Sequence, residues 1–549
     1  MSVARADVVV IGGGHNGLVC AALLARAGRE VVVVERSAAI GGATVSAELT
    51  RPGVVHDVLA TNVGAFAAGP VHAELGDDLR RHGLEFSVNP NAFASAFPDA
   101  RALRVGGGLE RTLAELEAND PADVAGWREL ADLFRAAAPT IFGGLAQPAP
   151  SLGWARLARS AWRELGAGRA LELLQLLASS PRDFGDSYLH SREAKALLAA
   201  WALHGDFGPD QSAGTLLPFL ETFADMEYGM ALVRGGIGNL PRALAAVVDE
   251  AGGRVVTGAE ATAIAVVRGR AQAVELAGGE RIAAPTVVAC VGPRALYGGL
   301  LRDAPLPDAV RRAAGRFRYG PGTVMVHLAL SGPVPWAAGD DLASYGYVHV
   351  GPYVEEMAGA YTEARNGLLP SDPLLVVGQP TAADPSRAPG GEHVLWVQVR
   401  AVPAEIRGDA AGDIAATSWD EAIEPYADRV LAKLERYAPG VGGLVLDRAA
   451  LSPLDIEARD SNLVGGDNGA GSGLIAHNLV FRPLPGWSRH RTPVRGVYHT
   501  GASTWPGPGV TGMPGKLAAE RVLGDARVGG RLVRRTLAAA GGRGRDGRR

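Results

Sequence analysis

The first 42 residues of the chain alternate between short apolar runs and glycine clusters. Val8–Ile11 and Val31–Val34 are continuous β-branched runs, which are typical of strands buried on both faces of a parallel sheet. Between them, Leu18–Arg26 has the composition of a helix, and Gly28 follows it as a C-terminal stop. The order of strand, glycine turn, helix and strand predicts a βαβ unit and therefore an α/β fold.

The same pattern returns after residue 231 and again near the C-terminus. It predicts one helix and four strands in the middle of the chain, at Leu240–Ala251, Gly253–Val256, Glu260–Val267, Ala271–Leu276 and Thr286–Val291. A strand, a glycine-rich loop and a helix follow within residues 496–526. These segments predict one discontinuous domain made of residues 1–75, 231–298 and 488–526.

The insertions between these segments have a different pattern. Leu/Ala/Arg-rich stretches predict helices, and alternating apolar positions predict antiparallel strands. The clearest examples are Arg156–Leu177, Ser191–Leu203, Trp419–Tyr437, 323–330 and 393–401. We therefore expect a second domain of helices over an antiparallel sheet, formed by residues 76–230 and 299–487.

Composition and charge exclude several classes of protein. The chain is 47% hydrophobic, and 54 basic against 58 acidic residues leave a net charge of −4, which argues against nucleic acid as a partner. Two cysteines, Cys20 and Cys290, are too few for a disulfide scaffold, and they form no CxxC redox or zinc motif, so no metal is expected. The chain has no signal-peptide pattern, and no stretch approaches the roughly 18 apolar residues of a membrane span. These features favour a cytoplasmic protein.

The C-terminal end is strongly basic. Residues 527–549 carry eight arginines and one aspartate, a net charge of +7 over 23 residues. Such a run is typical of a solvated, disordered tail. The alternative is attraction to anionic lipid headgroups, which would place the protein at the periphery of a membrane.

The glycines after the first strand have the spacing of a dinucleotide site. Gly12, Gly14 and Gly17 form G-x-G-x-x-G between a strand and a helix. The first permits a tight turn, the second lets the backbone approach a pyrophosphate, and the third allows close packing of helix on sheet. Glu35 lies 35 − 12 = 23 residues further on, where a carboxylate accepts hydrogen bonds from ribose hydroxyls.

Two further segments favour FAD over NAD. Gly41-Gly42 brings the backbone close to the diphosphate a second time, and the loop at 510–512 presents N–H groups to a flavin ring. No second strand–GxGxxG–helix pattern follows, so no separate NAD(P) domain is expected. Electrons are therefore expected to leave the flavin for oxygen or a quinone.

Three blocks of sequence resemble a known family. They are IGGGHNGL…VVVVER…IGG, RGGIGNLPRALAAVVDEAGGRVVTGAEATAI…VVACVGP and FRPLPGWSRHRTPVRGVYHTGASTWPGPGVTG. Together they resemble the phytoene desaturase-like branch, the carotenoid oxidoreductases, of the FAD-dependent flavin amine oxidase superfamily. The resemblance implies a Rossmann-type FAD-binding domain with a discontinuous substrate domain and places Ala259 near the adenine. The motifs and the resemblance give these cofactor-binding candidates: Gly12, Gly14, His15, Asn16, Gly17, Glu35, Arg36, Gly41, Gly42, Ala259, Gly501, Ala502, Val510, Thr511 and Gly512.

The resemblance implies an FAD-dependent oxidoreductase, of the dehydrogenase or desaturase type, that removes hydride from a lipophilic, polyene or isoprenoid-like substrate. Hydride transfer to a flavin depends on positioning more than on an acid–base pair, and no catalytic side chain is assigned. The alternatives on the same fold are a flavin amine oxidase, a ketolase, a polyene isomerase or cyclase, and a protein that keeps FAD without turnover. A prenyl-binding escort protein, similar to the Rab GDP-dissociation inhibitors, is the alternative from another class, although the C-terminal flavin loop argues against it.

A few side chains leave two interpretations open. Met325 and His327 share one face of their predicted strand, so they either line a substrate cavity or pack in the core. The same alternatives hold for three aromatic side chains, Trp487, Tyr498 and Trp505. Cys290 ends a predicted strand near the expected flavin, and a structural role is the favoured interpretation.

Overall fold

The computed structural model describes residues 5–542, with side chains described as far as residue 527. Residues 543–549, the end of the predicted basic tail, lie outside the described residues. The strands of the described range are β1 Val8–Ile11, β2 Val31–Val34, β3 Ser46–Ala47, β4 His56–Asp57, β5 Phe86–Asn89, β6 Phe93–Ala96, β7 Ala102–Val105, β8 Met230–Val233, β9 Arg254–Val256, β10 Ala261–Val267, β11 Arg270–Leu276, β12 Arg281–Ala283, β13 Thr286–Ala289, β14 Gly322–Leu330, β15 Tyr347–Val350, β16 Leu368–Leu369, β17 Leu375–Gly378, β18 His393–Val402, β19 Gly408–Asp409, β20 Val445–Leu451 and β21 Val497–His499. The α-helices are α1 His15–Arg26, α2 Gly64–Ala67, α3 Pro70–Arg81, α4 Leu109–Asn119, α5 Asp123–Leu145, α6 Leu152–Glu164, α7 Gly166–Ala178, α8 Pro181–Tyr188, α9 Arg192–His204, α10 Leu216–Tyr228, α11 Asn239–Glu250, α12 Asp308–Gly315, α13 Val354–Arg365, α14 Trp419–Tyr437, α15 Pro453–Arg459 and α16 Met513–Gly542.

Five strands form a parallel sheet in the order β21-β13-β1-β2-β9. Val9 pairs with Val287 on one side and with Val32 on the other, so the first strand of the chain lies at the centre. Helices α1, α11 and α16 pack on one face, and the antiparallel strands β10–β12 pack on the other. Since both faces are covered, β1 and β2 are apolar throughout. The predicted α/β fold is confirmed, and both strands have the predicted bounds.

The ends of several elements differ from the predictions. Helix α1 begins at His15, three residues before the predicted start at Leu18. The predicted domain boundary at residue 75 falls inside α3, which packs against α11 and α16 on the dinucleotide side. Helix α16 continues to Gly542, beyond the end predicted at residue 526.

A second sheet has seven strands in the order β20-β14-β18-β17-β15-β6-β7. Neighbouring strands are antiparallel except β15 and β6. Helix α14 packs on one face, where Trp419 and Tyr426 contact Val324, Val397 and their neighbours. The other face is turned towards α9 and the parallel sheet, so β18 is buried on both sides.

The helices α4 to α10 form a layer beside this second sheet. The stretch predicted as helical at 156–177 lies in two helices, because α6 ends at Glu164 and α7 starts at Gly166. Gly166 has a φ of +77°, a left-handed conformation that ends a helix. Helix α9 begins at Arg192 and is capped by Ser191, whose side chain accepts a hydrogen bond from the N–H of Ala194 at 3.2 Å.

A buried ion cluster joins the two domains. Arg387 is fully buried and donates from Nη1 to Asp57 Oδ2 at 2.6 Å and from Nε to Asp384 Oδ2 at 3.1 Å. Its Nη2 donates to the Val233 carbonyl oxygen at 2.8 Å. Asp57 also accepts the N–H of Ile237 at 2.7 Å. The cluster therefore connects β4 and β8, beside the first sheet, to the segment between β17 and β18.

Among the described residues, none of the helices has the length and apolar content needed to cross a bilayer.

Candidate functional site

A cavity of about 770 Å³ lies between the carboxyl ends of the parallel strands and the second sheet. Its size is within the usual range for ligand sites, and the edge at which parallel strands end is where open α/β sheets bind ligands. Twelve of the fifteen predicted cofactor residues line it: Gly12, Gly14, His15, Asn16, Glu35, Arg36, Gly41, Gly42, Ala259, Gly501, Ala502 and Val510. The other three, Gly17, Thr511 and Gly512, do not.

The glycine turn has the geometry that its spacing predicts. Gly12 has a φ of +102°, and a Cβ added there would lie 2.8 Å from the carbonyl oxygen of Cys290. A Cβ on Gly17 would lie 2.2 Å from the carbonyl oxygen of Gly12, so this glycine permits close packing instead of ligand contact. At Gly14 the nearest atom to an added Cβ is the Gly41 carbonyl oxygen at 4.0 Å. The backbone at Gly14 therefore faces open space at the N-terminus of α1, where a phosphate group fits.

Glu35 lies at the end of β2 and keeps capacity for a ligand. Its Oε2 accepts the N–H of Gly13 at 2.7 Å, and its Oε1 accepts the N–H of Ser37 at 2.9 Å. Each carboxylate oxygen has a second lone pair, so hydroxyl donors can still bind there. This arrangement fits the predicted contact with a ribose.

His15 and Asn16 begin α1 at the cavity wall. The Asn16 Nδ2 lies 3.0 Å from the His15 Nε2, whereas the Asn16 Oδ1 is buried without a hydrogen-bond partner among the described residues. Burial lowers the pKa of His15 to about 4, although a hydrogen bond to the backbone of Gly509 opposes this shift. The imidazole is therefore neutral at physiological pH. Since buried polar atoms are normally hydrogen-bonded, the unpartnered Asn16 oxygen fits a bound group that carries donors.

The side chain of Arg482 binds the backbone of the C-terminal loop at Ala502. This fully buried side chain donates to the Ala502 carbonyl oxygen from Nε at 3.1 Å and from Nη2 at 2.7 Å. Its remaining donors bind three carbonyl oxygens in the adjacent segment, those of Gly469, Gly471 and Ser472. Arg482 therefore fixes the backbone of two loops that line the cavity.

Thr511 and Gly512 do not line the cavity. The N–H of Thr511 donates to the Gly509 carbonyl oxygen at 3.0 Å, so this backbone donor already has an acceptor. Gly512 has a φ of +70°, and a Cβ there would lie 3.1 Å from Val19 Cγ2. Val510, which lines the cavity, is the member of this group placed to contact a ligand.

Cys290 also lines the cavity, at the end of β13. An added Cβ on Gly501 would lie 3.3 Å from its Sγ, so strand and C-terminal loop are in close contact. Burial raises the pKa of the Cys290 thiol to about 12, which leaves it protonated and unreactive at neutral pH. This agrees with the structural role favoured from the sequence.

Residues 459–463, which were not among the candidates from the sequence, close the cavity beside Glu35 and Arg36. Arg36 Nη2 donates to the Ala458 carbonyl oxygen at 3.3 Å. A Cβ on Gly42 would lie 3.0 Å from Asp460 Oδ2, so this carboxyl reaches the second glycine pair. Burial raises the pKa of Asp460. No glycine motif or strand pattern marks this segment in the sequence.

The cavity wall formed by the second sheet and α9 comes from residues that were not among the candidates from the sequence. They lie on β15, β18 and the end of α9, and they are Tyr347, Trp396, Gln398, Arg400 and His204. Met325 and His327 do not line the cavity. Their register explains this, because Met325 pairs with Gln398 and His327 pairs with Trp396 on the neighbouring strand. Core packing is therefore the correct alternative for both side chains, and the cavity lies one strand further along the sheet.

The three aromatic side chains proposed for a cavity wall are absent from it. Trp505 packs against Trp154, and its Nε1 donates to the Gln147 carbonyl oxygen at 2.7 Å. Tyr498 donates to Asp525 at 3.0 Å, and Trp487 packs in the core below the parallel sheet. Ordinary packing is therefore the correct alternative for this group.

The cavity wall formed by the second sheet and α9 combines apolar and polar surfaces. Tyr347 and Trp396 are stacked with ring centroids 5.8 Å apart. Beside them, His204 Nε2 lies 3.2 Å from His349 Nε2. Burial lowers the pKa of His349 to about 3 and that of His204 well below its ordinary value, so both rings are neutral. The described residues contain no group of three His, Cys, Asp or Glu side chains arranged to bind a metal ion.

The chain matches one protein family and is similar to several known proteins over nearly its whole length. The family model described as flavin containing amine oxidoreductase matches residues 17–438, which is more than half of the chain. The chain is 28% identical to pyridine nucleotide-disulfide oxidoreductase domain-containing protein 2 of Rattus norvegicus, over 95% of the chain and 94% of that protein. It is 29% identical to phytoene dehydrogenase of Streptomyces griseus, over 97% of each. It is also 26% identical to a limonene dehydrogenase component from Castellaniella defragrans, over 95% of each.

A solved oxidoreductase from Methanosarcina mazei has the same fold. The TM-score is 0.57 at 17% identity, over 94% of this chain and 99% of that one.

Proposed function

The chain belongs to the family of flavin containing amine oxidoreductases and is an FAD-dependent oxidoreductase, and we propose that it removes hydride from a lipophilic, isoprenoid-like substrate. The observation that carries this proposal is a continuous cavity that joins the glycine turn to an aromatic wall on the second sheet. Such a cavity holds a dinucleotide at one end and an apolar molecule at the other.

The cavity lining supports the following residues as those that would hold FAD. The diphosphate would contact the backbone at Gly14 and at Gly41, and Glu35 would accept the ribose hydroxyls. Ala259 would lie on the adenine side, and the loop at Gly501 and Val510 would face the flavin. When bound there, FAD supplies an acceptor for the hydride.

The chain's own residues position the substrate and exclude water. Trp396 and Tyr347 offer stacked aromatic surface, and Val58 and Leu59 add apolar wall. Apolar walls of this kind favour a hydrocarbon body over a small hydrated cation. The names of two relatives, limonene dehydrogenase and phytoene dehydrogenase, are those of enzymes for isoprenoid hydrocarbons, which supports the same substrate class.

Anaerobic mixing tests the substrate class. The holoenzyme is mixed with limonene, phytoene, putrescine or cyclohexylamine, and the visible absorbance of oxidised flavin is followed. We expect bleaching by an isoprenoid and none by the amines. Bleaching by an amine alone would favour the amine oxidase alternative. No bleaching by any compound would favour the protein without turnover, and a chain that fails to take up FAD would favour the escort protein.

For the electron acceptor, we propose oxygen or a quinone. The proposal is supported by the single dinucleotide motif in the sequence, which leaves no second site of that type for NAD(P).

We also propose peripheral contact with an anionic membrane. Helix α6 exposes Arg156, Arg159 and Arg163, and none of these forms an ion pair with a described residue. The same helix exposes Leu152 at 79% and Trp162 at 51%. Exposed arginines beside exposed Leu and Trp are typical of helices that lie in a membrane interface. This surface adds to the basic end of the chain that first suggested membrane contact.

Replacing Arg156, Arg159 and Arg163 together by glutamine is expected to weaken vesicle binding roughly 100-fold, because each basic side chain near an anionic surface contributes about 1 kcal/mol. Co-sedimentation with phosphatidylglycerol vesicles measures this. The matched control replaces three exposed arginines of the dinucleotide domain, Arg254, Arg270 and Arg281, and is expected to bind like the wild type. The proposal would be contradicted if both variants bound the vesicles equally. It would also be contradicted if the wild type bound phosphatidylcholine vesicles as strongly as phosphatidylglycerol vesicles.

A further inference from the structure

Three arginines are buried among the described residues, and one of them differs from the others. Arg387 contacts two carboxylates, and Arg482 uses all five of its N–H groups on carbonyl oxygens. Arg400 is 4% exposed, yet it lines the cavity and has no carboxylate within ion-pair distance among the described residues.

The hydrogen bonds of Arg400 leave two donors free. Its Nε and Nη2 both donate to the carbonyl oxygen of Leu203, at 3.1 and 2.7 Å, at the end of α9. Its Nη1 donates to Gln398 Oε1 at 2.9 Å. Guanidinium has five N–H groups, so one N–H on each terminal nitrogen has no acceptor among the described residues.

The carboxylates of Asp206 and Asp467 bind other groups, so they do not compensate the positive charge of Arg400 by direct contact. Asp206 accepts the hydroxyl of Ser472 at 2.9 Å, and Asp467 accepts backbone N–H groups of Gly469 and Gly471. His204, on the same cavity wall, is neutral. Burial lowers the pKa of Arg400 only to about 10, so the side chain is cationic at neutral pH.

The alternation of β18 sets the direction of these side chains. Trp396, Gln398 and Arg400 occupy every second position and line the cavity together. The amide Nε2 of Gln398 has a single weak contact, with the sulfur of Met325 at 3.6 Å, and so retains donor capacity. The wall therefore changes from aromatic to hydrogen-bond donating along one strand.

We propose that Arg400, assisted by Gln398, binds a carboxylate at one end of the substrate, whose isoprenoid-like body lies against Trp396 and Tyr347. The inference rests on the proposed function and narrows its substrate class to isoprenoid acids. The two free N–H groups of a planar guanidinium match the two oxygens of a carboxylate, and an anion compensates the buried charge.

Binding of three matched ligands tests this inference. Farnesoic acid, farnesol and farnesene share a carbon skeleton and differ in the head group. Calorimetry on the oxidised holoenzyme is expected to show farnesoic acid binding about 10- to 100-fold more tightly than farnesene, the range for hydrogen bonds to a charged group. Arg400→Met should remove this preference and leave farnesene binding unchanged, and Arg400→Lys should retain part of it. The control Arg111→Met, at an exposed arginine bound to Tyr345, should behave like the wild type.

The outcomes separate the inference from the function it rests on. If the wild type binds farnesene as tightly as farnesoic acid, the inference is overturned and oxidation of an isoprenoid hydrocarbon stands. If Arg400→Met loses FAD but keeps the preference, Arg400 serves the cofactor and the inference is again overturned. If the methionine variant does not fold, the inference is still tested by whether the wild type binds farnesoic acid more tightly than farnesene. If none of the three ligands binds, both the inference and the proposed substrate class fail.

Discussion

Replacing Gly14 by valine is expected to yield a folded protein without FAD. The backbone at this position has a φ of −70° and a ψ of 163°, which valine adopts without strain. The nearest atom to an added Cβ is the Gly41 carbonyl oxygen at 4.0 Å, so the backbone has room for a Cβ and the side chain extends into the space proposed for the diphosphate. Each charge-assisted hydrogen bond to the diphosphate contributes about 1.5–3 kcal/mol, and loss of two weakens FAD binding by roughly 100-fold or more.

The ratio of flavin absorbance to protein absorbance after purification and reconstitution measures this effect. The control is Gly168→Val in α7, where an added Cβ also meets nothing within 4 Å but faces solvent. The control should retain full FAD content, and circular dichroism should show both variants folded. Full flavin content in the Gly14 variant would show that the diphosphate does not lie against this turn.

Replacing Arg387 by methionine is expected to lower the free energy of unfolding by about 3–5 kcal/mol, the usual cost of removing one partner from a buried ion cluster. Methionine fills much of the volume but leaves Asp57 and Asp384 buried without their cation. Burial alone would raise the pKa of Asp384, but hydrogen bonds from Ser386 and Gly235 and the charge of Arg387 lower it. A carboxyl with a lowered folded pKa stabilises the fold above its unfolded pKa, so the gap between variant and wild type should narrow at acid pH.

Urea unfolding at neutral pH, followed by circular dichroism, checks this prediction. Arg234→Met is the matched control, because Arg234 pairs with Glu85 at 3.1 Å and both side chains are 62% exposed. Such an exposed pair contributes about 1 kcal/mol at most. A midpoint of the Arg387 variant equal to that of the control would mean that the cluster does not join the two domains energetically.

The dinucleotide end of the site could be predicted from the sequence because its signals are local. Gly12, Gly14 and Gly17 lie within six residues, and glycine is required by the positive φ at Gly12 and by the close packing at Gly17. The position of Glu35, just after the second strand, follows from the length of one βαβ unit. The parallel sheet was predictable for a similar reason, since burial on both faces makes its strands uniformly apolar.

The substrate end could not be predicted, because pairing between distant strands creates it. The register of β14 and β18 decides that Gln398, and not Met325, lines the cavity. β18 is buried on both faces, so its pattern does not show which side faces a ligand. Arg400 looks like an ordinary charged residue in the sequence, and its unused donors become visible once Leu203, almost 200 residues earlier, is placed beside it.

The most direct test of the central claim is a single anaerobic turnover with product analysis. Holoenzyme in excess is mixed with an isoprenoid substrate, and mass spectrometry of the extracted lipid is compared with the loss of oxidised flavin absorbance. The account predicts a product lacking two hydrogens, formed in equal amount to the flavin reduced. Reduction of the flavin by putrescine or cyclohexylamine, with every isoprenoid recovered unchanged, would contradict it.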